Sequence, residues 1–395
     1  MSFLHRVFRL LPAAGLIALA LAGCTRPEPK PATSSVQTPP VQTPATEPTS
    51  SVSDPVTEST AEPSSVPQTE VTPGGTVVSQ AVADALRTAW MATGPVTDEM
   101  LRDVKKLHIQ FDTWNPTYAT EPTAENPYGL PLSDLSGLEM CVNLRALSLD
   151  GYFGTDLSPV GKLSSLTALS VCFTGNLPSD LLWQADVLTG LPLERLQIDN
   201  YPLSDLTAIG QIKTLRELWV TRCPLTDLSP LKNLTSLEKL RLGDLRGHGV
   251  SNQLTDLSPL AGLSHLNGLA LAGFTGDLSP VAALPLQDLA IGFSTIDNFA
   301  PLSSMQSLVR LTIRDANFTD ADTALLQPMK QLRAFFWLAA PEGSHPDQLT
   351  ALLTAIGRSD IVSVADALSQ TPPDDSYQDT FAGDPPFWPE NRFTD

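Results

Sequence analysis

A short phrase, Asp-Leu-Ser-Pro, recurs at Asp156, Asp227, Asp256 and Asp277, with looser forms at Asp134, Asp205 and Asp297. Neighbouring copies stand 22 (134 to 156), 22 (205 to 227), 21 (256 to 277) and 20 (277 to 297) residues apart. The 156–205 interval is close to two periods with an insertion, and 227–256 is one period plus seven. A Leu-x-Leu pair follows each copy, and the 156–205 interval holds one more: Leu147/Leu149, Leu169/Val171, Leu196/Ile198, Leu218/Val220, Leu240/Leu242, Leu269/Leu271, Leu289/Ile291 and Leu311/Ile313. Leu107/Ile109 before them and Phe335/Trp337 after them make ten. A unit this short cannot bury its own apolar side chains, so the chain must stack units side by side.

One unit gives the local geometry. In Leu218–Lys239 the apolar set is Leu218, Val220, Leu225, Leu228, Leu231, Leu234 and Leu237. The first two alternate as in a strand, and the last five come every third residue, the period of a 3-10 helix. Ser229-Pro230 reads as an N-cap followed by proline at the first helical position. This pattern resembles the leucine-rich repeat, specifically its 22-residue internalin-like class, over roughly residues 97–340. The resemblance implies an α/β leucine-rich-repeat solenoid. It would be a curved horseshoe with ten short parallel strands on the concave face and 3-10 or short helical turns on the convex face.

Solenoid ends need covers. Val82, Leu86 and Trp90, then Met100, Leu101 and Val104, suggest two helices in an N-terminal cap over residues 76–104. The repeats would fill 105–340. Leu349, Leu352, Leu353 and Ile356 carry the helical stripe of a C-terminal cap within 341–370, with Gly357 placed to stop it. Residues 371–395 read as an acidic, proline-rich, loosely ordered tail despite Phe381, Phe387 and Trp388.

The start of the chain has a different purpose. Arg6 and Arg9 precede an apolar run from Leu10 to Ala22, broken only by Pro12. Thirteen residues span about 20 Å as a helix, too short for a ~30 Å hydrocarbon core, so residues 1–23 read as a secretory signal. The run ends Leu21-Ala22-Gly23-Cys24, which resembles the bacterial lipobox. That resemblance implies cleavage before Cys24, lipidation of its thiol with acyl chains such as palmitate, and an extracytoplasmic, membrane-anchored lipoprotein. Residues 24–75 follow as a disordered stalk in which proline, serine and threonine dominate and leucine and aromatic residues are absent.

Charge and chemistry narrow the function. With 24 basic against 43 acidic residues the net charge is -19, which argues against nucleic acid as a partner. No two of the five histidines have helical metal-pair spacing, and there is no Gly-x-Ser-x-Gly or Walker loop, so neither an enzyme nor a cofactor is expected. The repeated Asp fits a calcium ladder or a turn-capping carboxylate. One acid per coil without a second oxygen donor favours the cap. Cys141 and Cys223 read as interior residues, and Cys172 as facing outward on the strand side.

Recognition then falls to the outward positions of the strands, because a fold by itself specifies no function. Most outward columns are small. The exception is Arg195, Gln197, Asp199, Glu217, Trp219, Lys239 and Arg241, which converge on three adjacent strands around one exposed indole. Trp and Arg dominate binding hot spots. The alternative is a solvated face in which Lys239 and Glu217 pair across strands. Beside the cluster, Gly268/Ala270/Ala272 and Ala290/Gly292 make a shallow floor for a close-lying chain, and the insertion Gly243–Gln253 emerges next to Trp219. A second insertion, Phe111–Leu130, leaves from the same edge.

The leading expectation is a monomeric surface lipoprotein, held to the membrane through the Cys24 lipid, whose concave face binds another protein. Adhesion or a host or envelope interaction would suit it, although a lipid in place of a sorting signal departs from adhesins of the internalin kind. A glycan-binding module, which would favour several exposed aromatics in line, and a structural surface protein with no dedicated ligand are the alternatives.

Overall fold

The computed structural model describes residues 69–111, 133–152, 154, 156–172, 184–245, 252–338 and 348–364. The signal, Cys24, most of the stalk, most of the two insertions and the acidic tail lie outside the described residues.

A small hairpin opens the folded part: β1 (Thr69–Val71) pairs antiparallel with β2 (Val77–Ser79). β1 falls within the stretch assigned to the stalk, so ordered structure starts by Thr69. The reason is local. Thr72 Oγ1 donates to Asp98 Oδ1 at 2.6 Å, and Glu70 both pairs with Arg87 and accepts Val96 N–H, tying this segment to the helices that follow. Helix α1 (Gln80–Trp90) is capped by Ser79 and α2 (Asp98–Asp103) by Thr97, whose side chains accept from Val82 N–H and Met100 N–H. Val82, Leu86, Met100, Leu101 and Val104 are buried, whereas Trp90, expected in the apolar stripe, is exposed.

Then comes the solenoid. The strands are β3 (Lys106–Gln110), β4 (Ala146–Asp150), β5 (Ala168–Cys172), β6 (Arg195–Asp199), β7 (Glu217–Thr221), β8 (Lys239–Leu242) and β9 (Gly268–Ala272). After the two-residue β10 (Thr275–Gly276) come β11 (Asp288–Gly292), β12 (Thr295–Ile296), β13 (Arg310–Arg314), β14 (Ala334–Leu338) and β15 (Val362–Val364). All but β1, β2, β10 and β12 form one parallel sheet in chain order. This sheet has eleven strands, one more than the ten Leu-x-Leu pairs. The extra strand, β15, lacks the Leu-x-Leu signature because it follows the C-terminal helix rather than a repeat turn.

Each strand returns through a tight turn such as α3 (Ser158–Gly161) or the 3-10 segments Ile209–Gln211, Ser229–Asn233, Ser258–Leu260 and Ser279–Val281. Leu218, Val220, Leu225, Leu228, Leu231, Leu234 and Leu237 are all buried in one continuous core with their counterparts in neighbouring coils. The chain folds as a leucine-rich-repeat solenoid. At ~1.5–3 kcal/mol per buried leucine, stacking the coils is the source of its stability.

Two details of the turns differ from the sequence reading. Ser229 is the first turn residue, not the cap: Asp227 Oδ1 accepts Ser229 N–H at 2.8 Å. Asp156, Asp205, Asp256 and Asp277 do the same for Ser158, Thr207, Ser258 and Ser279, at 2.8–2.9 Å. In the next coil the capping residue is Asn298, which accepts Ala300 N–H at 2.8 Å, and not Asp297. Aligning on the turn proline (Pro230, Pro301) rather than on the acid gives the right register.

A second regularity is invisible in composition. The residue after a strand is left-handed at Gly151, Asn200, Arg222, Gly243, Gly273, Phe293 and Asp315. Glycine adopts this conformation without strain and asparagine or aspartate at modest cost, but arginine and phenylalanine are outliers there.

At the far end α4 (Leu349–Ala355) buries Leu349 and Leu353, and Gly357 (φ +76°) terminates it. The buried Arg358 guanidinium donates to the carbonyls of Leu326, Met329 and Leu332 at 2.8, 2.8 and 2.9 Å, bolting this end onto the last repeat turn. Among the described residues no helix is long and apolar enough to cross a membrane.

Candidate functional site

Strand alternation puts one set of side chains into the core and the other outward. In β6–β8 the outward set is in register: Arg195, Glu217 and Lys239 in one row, Gln197, Trp219 and Arg241 in the next, Asp199 beside Thr221 in the third. The structure therefore brings all seven sequence-selected residues onto three adjacent strands.

Their exposure is not what the sequence suggested. Trp219 is only 7 % exposed and Arg241 2 %. The Arg241 guanidinium lies over the indole, its Cζ 5.8 Å from the ring centroid, a cation–π geometry. The pair is a foundation for the surface rather than its exposed tip. Alternation gives the direction of a side chain but not what the next strand lays across it. Arg195, Gln197, Asp199, Glu217 and Lys239 are half-buried and remain accessible.

Asp199 is committed. Arg222 grips it with two guanidinium nitrogens, Nε at 2.9 Å, and Thr221 Oγ1 donates to the same carboxylate at 2.6 Å. This hydrogen bonding and the carboxylate charge raise the Arg222 pKa above its already high ordinary value. Arg222 was not among the sequence-selected residues. Its one sequence signal was a bulky cation at a position where other coils carry Gly or Asn. Although Glu217 and Lys239 are register neighbours, no ion pair joins them among the described residues. Gln197 Oε1, next to Trp219 in the register, is buried with no hydrogen-bond donor.

The adjacent floor is not open. Leu245, three residues after β8, folds back over the outward face and is 2 % exposed in a separate apolar cluster with Ala270, Ala272 and Ala290. A Cβ on Gly292 would stand 2.8 Å from Leu245 Cδ2, so the glycine is what lets the leucine settle. The other foot of the segment is fixed by Asn252, whose Nδ2 donates to Ala272 O at 3.2 Å. The space expected to admit a foreign chain is filled by the protein's own Leu245.

The cysteines carry no chemistry in this arrangement. Cys141, Cys172 and Cys223 are unpaired, and burial pushes each thiol up to about 12. Cys141 and Cys223 are fully buried, and Cys172 faces outward against Ser170 Oγ at 3.4 Å. Among the described residues no group of three or more His, Cys, Asp or Glu is placed to hold a metal ion.

No protein-family description matches the chain, and neither does any curated protein. Solved structures do. Internalin C2 of Listeria monocytogenes is 24 % identical, over 65 % of this chain and 92 % of its own, with a TM-score of 0.39. Internalin F of the same organism is 21 % identical over 74 % and 96 %, TM-score 0.33. A leucine-rich-repeat protein of Leptospira interrogans is 19 % identical over 70 % and 64 %, TM-score 0.46.

Proposed function

We propose that this chain is a bacterial surface lipoprotein whose repeat domain binds another protein across the outward face of β6–β8. Arg195, Gln197, Glu217 and Lys239 are the contacting groups in this reading. Trp219 and Arg241 hold them in place from beneath, and Asp199, locked by Arg222, borders the patch. The lipid on Cys24 tethers the domain to the membrane and the stalk holds it away, in a role such as adhesion or contact with a host or envelope protein. The supporting observation is that Arg195, Gln197, Glu217 and Lys239 stay half-buried and in register on three adjacent strands, a cluster of charged and amide groups on a rigid sheet.

Binding to an envelope or host glycan is the less supported alternative. Its main aromatic platform would have been Trp219, which is covered. Capture of surface-labelled proteins by the full chain, run alongside a glycan array, separates the two. A specific protein captured with no glycan signal is the expected result. Glycan binding without protein capture would reverse the assignment. For the anchor, Cys24→Ala is expected to abolish incorporation of labelled palmitate and release the protein from membranes, and membrane retention of that variant would reject it.

A further inference from the structure

The strand face changes character again past β11. On β13, Arg310, Thr312 and Arg314 alternate with the core residues Leu311 and Ile313, and Phe336 of β14 is the register partner of Thr312. Phe293, which follows β11, joins them. Its N–H donates to Arg314 O at 2.9 Å, and the Arg314 guanidinium lies over its ring with Cζ 5.5 Å from the centroid. Phe293 also holds φ +48°, where other coils place Gly151, Gly243 or Gly273. Strain of this kind on a bulky residue concentrates at functional positions. Here it sets a half-buried aromatic ring against Arg314, while half-buried Phe336 lies on the next strand but one, opposite Thr312.

Arg310 is already paired with Asp288. Arg314 is less well served: its Nε is buried without a hydrogen-bond acceptor, and Asp315 Oδ2 meets it only as a 3.5 Å ion-pair contact. The cluster is complementary to a carboxylate accompanied by aromatic side chains.

Such a segment follows the last strand in the sequence. β15, the last strand, is separated from β13 only by β14, about 10 Å at ~4.8 Å per strand. Residues 371–395 hold six acidic residues against one arginine, with Phe381, Phe387 and Trp388 interleaved among Asp379, Asp384 and Glu390. Asp379 lies fifteen residues beyond Val364, roughly 50 Å of extended chain and ample for the crossing. The tether also gives the segment a high effective concentration at the cluster.

We infer that the acidic aromatic segment Asp379–Glu390 docks intramolecularly on Arg314, Phe293 and Phe336. A carboxylate faces the guanidinium, and the tail aromatics cover the two phenylalanines. This end of the strand face is then covered by the chain itself, independently of the partner patch on β6–β8.

Limited chymotrypsin digestion of the full chain tests this. Cleavage after Phe381 and Phe387 is expected to be slow in the wild-type chain and about fivefold faster in Arg314→Ala, the effect of losing one charge-assisted contact. If Arg314→Ala disturbs its coil, the paired change Asp379→Asn and Asp384→Asn makes the same test from the tail. It should accelerate cleavage equally and leave the melting temperature unchanged. Equal cleavage rates in the wild type, both variants and a free peptide spanning residues 371–395 would overturn the inference. Protection that disappears on dilution would overturn it too, in favour of tail exchange between two copies.

Discussion

The outward faces of β6–β8 and of the neighbours β9 and β11 begin from the same backbone and end as opposites. The first presents half-buried charged and amide groups over a buried Trp219–Arg241 stack. The second is, apart from Asp288, alanine and glycine that the protein closes with its own Leu245. A repeat scaffold offers every coil the same outward positions. Side-chain size then decides whether a stretch remains a surface or becomes a second small core.

Substitutions can break that comparison, and the largest effect belongs to the core both regions share. Leu234→Asp puts a charge at a fully buried ladder position and should cost more than about 4 kcal/mol, unfolding several coils together. An unaltered thermal melt would refute the register of the ladder. Next comes the closed floor. Leu245→Ala empties the second cluster and should cost about 2–3 kcal/mol in denaturant unfolding, whereas Arg195→Glu on the open patch should stay within about 0.5 kcal/mol. Equal costs for the two would erase the distinction between the regions.

The smallest effect concerns the turns beneath both. Ser and Thr hydroxyls and backbone N–H groups hold the carboxyls of Asp156, Asp205, Asp227 and Asp256 below their ordinary value. A lowered folded-state pKa means the stabilisation is present in full above the unfolded value and is lost as the pH falls through the folded one. Melting temperature should therefore be insensitive to these groups from neutrality down to about pH 4, then decline below it. Asp227→Asn, which retains an acceptor but cannot titrate, should soften that decline by a small amount. A melting profile with the same slope in both proteins would remove the Asp from the pH dependence.

The period, the strand positions and the core were legible because they are local and repeated: every third leucine and each Leu-x-Leu pair report the same geometry many times over. The seven candidate residues also fall on the three strands the spacing predicts, since the pleat fixes direction. What lay beyond the sequence were contacts between coils. Burial of Trp219 depends on Arg241, 22 residues away, and closure of the floor depends on one leucine in a stretch that reads as a polar loop. The same holds for Arg222 on Asp199 and Arg358 on three carbonyls: long side chains reach partners that no spacing rule predicts. Asn298 was missed for a smaller reason, because an acid one residue earlier imitated the motif.

The central claim is that recognition uses the open patch and not the closed floor. The decisive measurement is the affinity of the captured partner for the full chain, for Arg195→Glu with Lys239→Glu, and for Leu245→Ala, each checked for an intact fold. We expect the double charge reversal to abolish binding while Leu245→Ala leaves it within about twofold, a difference under ~0.5 kcal/mol. Binding that survives the charge reversal and fails with Leu245→Ala would contradict the account and move the site onto the floor.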